Sequence, residues 1–301
     1  MNLKIVGTGH LGVRLARLWK EMFPDATIVL KTKRHDLKRT TKWKALGFDA
    51  ISEEEEEANA KHRTKAPFVV FCAPPTNNAN YVENVESSIK HDWDLQSTNN
   101  QKGFVFTSSG GVYAENSGGE IDENSEVSTL SERTKTLISA EQCVLQNGGD
   151  VIRFGGLYTK TRGAHNYWLS GKISESPSNP NGLINLIHYD DAARCVMKAL
   201  LKGSDGKPNS TGKLFLAGDG VPISRENICQ AALKCPEYKD QSVLKLLKFT
   251  GDKTIIDGKR YNISFLQTYL DWKPVFTSFE DFMGKHYNDE LDVNQFWEFE
   301  H

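Results

Sequence analysis

No apolar run in the 301 residues is long enough to cross a bilayer, and neither sign of charge dominates. Lys and Arg number 37 against 39 Asp and Glu, a formal net charge of -2. That balance leaves no electrostatic footprint for nucleic acid or for an anionic membrane surface. Cysteine is scarce: Cys72, Cys143, Cys195, Cys229 and Cys235 form no C-x-x-C pair and no Cys/His cluster at zinc spacing. Neither a disulfide framework nor a metal site is therefore expected. No solenoid repeat is present, and the strand-like Leu3–Val6 follows Met1 too closely to leave room for a targeting segment. The expectation is a cytoplasmic protein with a small-molecule partner. An organellar location stays open if a leader has been removed, and so does a homodimer.

What is present is an alternation of short β-branched and aromatic runs with longer amphipathic stretches, the pattern of βαβ units around a buried parallel sheet. Strands are read at Leu3–Val6, Thr27–Leu30, Phe68–Cys72, Gly103–Thr107, Val151–Phe154 and Leu214–Ala217. Apolar residues at three- and four-residue intervals mark helices over Gly12–Met22, Tyr81–Lys90, Ser131–Gln146 and Asp190–Lys202. The fold class is α/β: a Rossmann-type doubly wound parallel sheet with a small C-terminal substrate lobe. Residues 1–157 and 185–218 are assigned to a dinucleotide-binding domain, and 158–184 with 219–301 to the lobe. Asn116–Ser125, Ser174–Gly182 and Lys202–Gly212 read as polar loops or lids, and Glu53–Glu57 as a short solvated helix or loop.

The first strand runs into Gly7-Thr8-Gly9-His10-Leu11-Gly12. In such a turn the first glycine permits the bend, the second lets the backbone approach a pyrophosphate, and the third allows the helix to pack on the strand. His10 and Leu11 complete the amide-lined start of a helix that favours anions. The alternative is a glycine turn that merely joins strand to helix. An NAD-preferring site places an acid about 20 residues further on, at the end of the second strand. Here that end reads Lys31-Thr32-Lys33-Arg34. Thr32 and Arg34 suit a 2′-phosphate, so NADP(H) is expected ahead of NAD. Lys31, Lys33 and Arg34 also read as an ordinary solvated loop.

Prolines after the strand Phe68–Cys72 turn the chain away from the sheet and place Ala73, Pro74 and Pro75 beside the nucleotide. The next strand enters Thr107-Ser108-Ser109-Gly110-Gly111-Val112-Tyr113, which puts hydroxyls at its carboxyl end, Ser108 toward the cofactor. These motifs resemble the extended short-chain dehydrogenase/reductase superfamily, the NAD(P)-dependent epimerase/dehydratase group. So do Val151-Ile152-Arg153-Phe154-Gly155-Gly156-Leu157-Tyr158 and Ile187-His188-Tyr189-Asp190-Asp191-Ala192-Ala193. Gly258-Lys259-Arg260 and Phe276-Thr277-Ser278-Phe279 are similar to the C-terminal pattern of its atypical YeeZ-like branch.

The resemblance implies a catalytic Ser or Thr, matched by Ser109, and a Tyr-x-x-x-Lys on the following helix. Counting back from Glu141, those two positions hold Arg133 and Leu137. An arginine is a poor general acid and a leucine holds no ribose, so the usual pair is missing. Hydride transfer without it needs another proton donor: Tyr113 first, then Tyr158, His188 or a water held by Ser109. Each has a plainer reading. Tyr113 and Tyr158 also suit aromatic filler, His188 a structural role beside the next helix, and Arg133 a solvated helix face instead of an anionic substrate contact. Arg162 matches a basic position beside the substrate, or else forms a lid salt bridge. Arg153 reads as a structural ion pair. The function read here is an NADP(H)-dependent oxidoreductase acting on a small carbonyl or hydroxyl metabolite. The alternatives are a non-catalytic NADP(H)-binding or redox-sensing protein and a nucleotide-sugar epimerase or dehydratase.

Overall fold

The computed structural model describes residues 1–33, 36–58, 63–96, 102–202, 212–238 and 247–285. The chain divides into two compact units. The first holds Met1–Val112, Ser128–Arg153 and Ala193–Phe215, and the second holds Tyr113–Val127, Phe154–Ala192 and Leu216–His301. This division differs from the sequence boundaries chiefly at residues 113–127, which belong to the second unit because their strand pairs with Gly258–Tyr261.

The first unit is built on β1 (Leu3–Val6), β2 (Ile28–Thr32), β3 (Asp49–Ser52), β4 (Phe68–Phe71) and β5 (Gly103–Ser109). They lie in a seven-stranded parallel sheet of order β12-β7-β5-β4-β1-β2-β3, completed by β7 (Asp150–Phe154) and β12 (Leu214–Ala217). Every residue of β1 and β4 is buried, as expected of apolar runs covered on both faces. Helix α1 (His10–Met22) lays Leu11, Leu15 and Trp19 on the core, where Trp19 meets the ring of Phe68 with centroids 5.0 Å apart. Helix α4 (Tyr81–His91) packs on α5 (Glu132–Gln146).

Several elements escaped the sequence reading, three of them for want of a clear local pattern. Helix α2 (Leu37–Ala45) buries only Thr40 and Trp43, so its apolar stripe is thin, and β3 carries the weak run Asp49–Ser52. The stretch Asn116–Ser125 is not a lid. It contains β6 (Ser117–Ile121), which pairs in parallel with a strand at Gly258–Tyr261. Gly118 and Gly119 fill what would be its patterned positions, so no apolar alternation marked it as a strand. Most of Lys202–Gly212 lies outside the described residues.

The second unit has a four-stranded sheet of order β13-β10-β15-β6, with β10 at Leu183–Ile184, β13 at Ile223–Ser224 and β15 at Gly258–Tyr261. A parallel pair joins β8 (Gly156–Tyr158) to β11 (Leu186–His188), and α7 (Tyr189–Lys202) follows directly. Ser224 caps α8 (Arg225–Ala232) by accepting from Asn227 N–H, the start the sequence predicted.

Candidate functional site

In the first unit β1 lies between β2 and β4, so the winding of the sheet reverses there. Such a reversal opens a crevice at the carboxyl ends of the strands. The turn leaving β1 enters it. Gly7 has φ 100°, and a Cβ on it would lie 2.3 Å from Ala73 N. A Cβ on Gly12 would lie 2.4 Å from Gly7 O, so this glycine sets the contact of α1 with its strand. Gly9 differs: a Cβ there would meet nothing within 4 Å. The glycine edge thus faces open space beside the start of α1, whose first intrahelical bond runs from Val13 N to Gly9 O at 3.1 Å. The amides of Leu11 and Gly12 precede it. A pyrophosphate fits this cradle.

Beside the turn lies a cavity of about 450 Å³. It brings together Gly7, Thr32, Ala73 and Pro74 from the residues expected at the nucleotide. Gly9, His10, Leu11, Gly12 and Pro75 do not line it: the first four belong to the turn and helix start, and Pro75 O accepts from Asn78 N at 3.2 Å. Arg34 lies outside the described residues. Lys31, Lys33 and Arg39 are the basic groups that share the wall with Thr32. Lys33 Nζ donates to Asn77 O at 3.1 Å, with Asn77 in the left-handed region at φ 58°. Asp36 also lines the cavity, but its Oδ1 accepts from Arg39 N at 3.1 Å as the cap of α2.

Lys31 is not a solvated loop cation. Its Nζ lies 2.6 Å from Glu56 Oε2 and 3.2 Å from Asp92 Oδ2, and Lys4 Nζ pairs with the same two carboxylates. Burial opposes the Lys31 charge, yet Asp92 and Glu56 together outweigh it and raise the ammonium above the ordinary lysine value. The short helix expected at Glu53–Glu57 exists as α3 (Glu53–Ala58), but Glu56 is 2% exposed, so the run is not merely a solvated face.

At the carboxyl end of β5 the two serines part. Ser108 is buried and its hydroxyl donates to Glu141, which also receives Arg153 through Nε at 3.1 Å and Nη2 at 2.6 Å. Ser108 is thus drawn into the interior rather than toward a cofactor, and Arg153 forms the expected structural pair. Ser109 stays half-buried and accepts from Gly111 N at 3.1 Å. With that lone pair occupied, its own O–H is available to a substrate oxygen or a water. On α5, Leu137 is 5% exposed and Arg133 is exposed, so neither restores the missing pair.

The remaining donor candidates lie in the second unit. Tyr113 is 3% exposed, and its carbonyl accepts from Lys259 Nζ at 2.8 Å. Tyr158 and His188 have no exposed surface; their rings meet edge to face at 5.3 Å within a cluster that includes Phe279 and Phe282. His188 Nδ1 accepts from Asp190 N at 3.2 Å at the start of α7, which is the structural reading. Burial pushes the Tyr158 hydroxyl well above the ordinary phenol value. These three side chains contact protein, not solvent. Arg162 borders an open cavity, with Nε donating to Tyr189 Oη at 3.2 Å.

The sequence reading missed Asp36, Arg39, Glu53 and the asparagines Asn77, Asn78 and Asn84 of the first cavity. An acid three residues before Arg39 was a legible capping signal. Nothing local marked the others.

No protein-family model and no curated protein matches the sequence. Solved structures do match its fold. A dTDP-glucose 4,6-dehydratase from Bacillus anthracis, in complex with NAD, superposes with a TM-score of 0.72 at 15% identity, covering 98% of each chain. The UDP-glucose 4-epimerase of Thermotoga maritima, with UDP-glucose, gives 0.66 at 15% over 99% of each chain. The ADP-L-glycero-D-manno-heptose-6-epimerase of Helicobacter pylori gives 0.67 at 13% over 93% of each. At these identities the likeness is one of fold: the Rossmann-type architecture of epimerases and dehydratases, as the sequence resemblance implied.

Proposed function

We propose that the protein binds NADP(H) in the first-unit crevice and acts as an atypical extended reductase, of YeeZ-like type, on a small carbonyl or hydroxyl metabolite. The observation that carries this reading is the wall of the cavity beside the glycine turn. Thr32 and Lys33 stand at the end of the second strand, where an NAD-preferring site holds an acid. Arg39 of α2 lines the same wall beside Asp36, which caps that helix and lies 3.4 Å from Arg39 Nε. The turn amides would hold the pyrophosphate, Lys33 and Arg39 the 2′-phosphate, and Ala73 and Pro74 the neighbouring wall. When bound, NADPH would supply a hydride to the carbonyl carbon. Ser109 Oγ, oriented by Gly111 N–H, would donate a hydrogen bond to the substrate oxygen or hold the water that protonates it.

Titration of the purified protein with NADPH and NADH, followed by nicotinamide fluorescence, is expected to give tighter NADPH binding. Lys33→Ala and Arg39→Ala should each weaken NADPH about tenfold or more while leaving NADH nearly unchanged, the effect of a lost charge-assisted bond. Equal loss for both coenzymes rejects the 2′-phosphate assignment. A second reading, NADP(H) binding without turnover, is favoured by Leu137 buried where a catalytic lysine would stand. Binding with no NADPH oxidation across a panel of carbonyl substrates would decide for it. The named activities of the matching structures support a third, nucleotide-sugar chemistry with NAD, which preferential NADH binding would favour.

A further inference from the structure

The second unit holds a cavity of about 430 Å³, within the size range of small-molecule sites. Its charge is unbalanced. Arg162 and Lys172 both line it, no lining residue is acidic, and among the described residues no carboxylate pairs with either cation. Arg162 is nonetheless held in place: Nε donates to the phenol oxygen of Tyr189, which is 9% exposed, and its backbone N–H donates to Thr159 Oγ1 at 3.1 Å. One edge of the guanidinium is thereby anchored and the Nη hydrogens remain for a ligand. Asn166 adds a donor of fixed sense, because its Oδ1 already accepts from Tyr238 Oη at 3.4 Å and its amide N–H₂ is left over. The exposed ring of Tyr167 and the side chain of Leu157 form an apolar wall beside these donors.

We infer that this cavity binds a small organic phosphate, its phosphoryl oxygens on Arg162, Lys172 and the Asn166 amide and its organic body against Tyr167. Two cations with no carboxylate partner among the described residues match the charge of about -1.5 to -2 that a phosphate monoester carries at neutral pH better than the single charge of a carboxylate. The anchored guanidinium suits two oxygens of one phosphoryl group. The inference deepens the proposed function by naming the class of its substrate, and it rests on the reading that the second unit receives that substrate.

The test is calorimetric titration of the full chain with phenyl phosphate, inorganic phosphate and benzoate, with and without saturating NADPH. Phenyl phosphate should bind tightest, NADPH should not displace it, and Arg162→Ala or Lys172→Ala should each weaken it about tenfold or more. Both side chains are exposed, so these variants are expected to fold, and circular dichroism checks that they do. Arg162→Lys, which keeps the charge and loses the fork, should recover only part of the affinity. No heat from the folded protein, binding unaffected by either variant, displacement by NADPH, or benzoate binding as well as phenyl phosphate would each overturn the inference. Phosphate binding that survives in a protein with no affinity for NADPH or NADH would remove the cofactor reading and leave this one standing.

Discussion

Gly9 and Gly12 lie three residues apart in one turn and face opposite constraints. The space beside Gly9 is open, whereas a Cβ on Gly12 would collide with the carbonyl of Gly7. A Gly12→Ala change must push α1 off β1, and overpacking of this kind costs about 1–3 kcal/mol, more than the gain in helix propensity returns. Gly9→Ala should unfold at the wild-type temperature and yet lose NADPH, because the new methyl occupies the pyrophosphate's approach. Thermal unfolding and NADPH titration of the two variants check this: a Gly9→Ala protein that binds NADPH normally would contradict the cradle. The hydroxyls show the same lesson. Ser108 and Ser109 are equivalent in sequence, and only the partner Glu141 tells which is drawn inward.

At the scale of the element, α3 is the clearest case of a charge run whose meaning lies in its packing. Its sequence, five consecutive glutamates, has the composition of a solvated face. Glu56 instead meets Lys4, a β1 residue with no exposed surface, together with Lys31 and Asp92. Two cations and two carboxylates compensate one another inside the first unit. Removing one partner leaves an uncompensated buried charge, so Glu56→Ala should cost about 3–5 kcal/mol in urea unfolding. The exposed neighbour Glu54 should tolerate the same change within about 0.5 kcal/mol. Similar losses for both would mean that the network does not hold α3 to the sheet. Because Lys31 also borders the first cavity, Glu56→Ala is expected to alter coenzyme affinity as well.

At the scale of the whole molecule, stability should depend on pH through Asp219. Burial pushes its carboxyl up to about 7 from an ordinary 3.8, with Asp191 adding to the rise while the Val221 and Phe279 amides oppose it. The folded state therefore holds this proton more tightly than the unfolded chain. The stability so contributed is present in full below about pH 4 and is lost as pH rises toward 7, by up to about 1.4 kcal/mol per pH unit. Urea unfolding at pH 5 and pH 8 should show a smaller difference for Asp219→Asn than for wild type; equal differences would show that Asp219 does not titrate in this window. What the sequence by itself determined was the sheet and its turn: β1 and β12 lie within the expected bounds, and β2, β4, β5, β7, α1, α4, α5 and α7 within a few residues of them. Buried parallel strands and amphipathic helices write their burial into local periodicity, and a glycine turn writes its backbone need into three positions. Only the tertiary structure decided which charged and hydroxyl groups face a cavity. Lys31 and Lys33 are alike in sequence and both border the crevice, but Lys31 is bound by carboxylates over 20 residues away while Lys33 donates to the carbonyl of Asn77. Such pairings are long-range, and no window along the chain contains both partners.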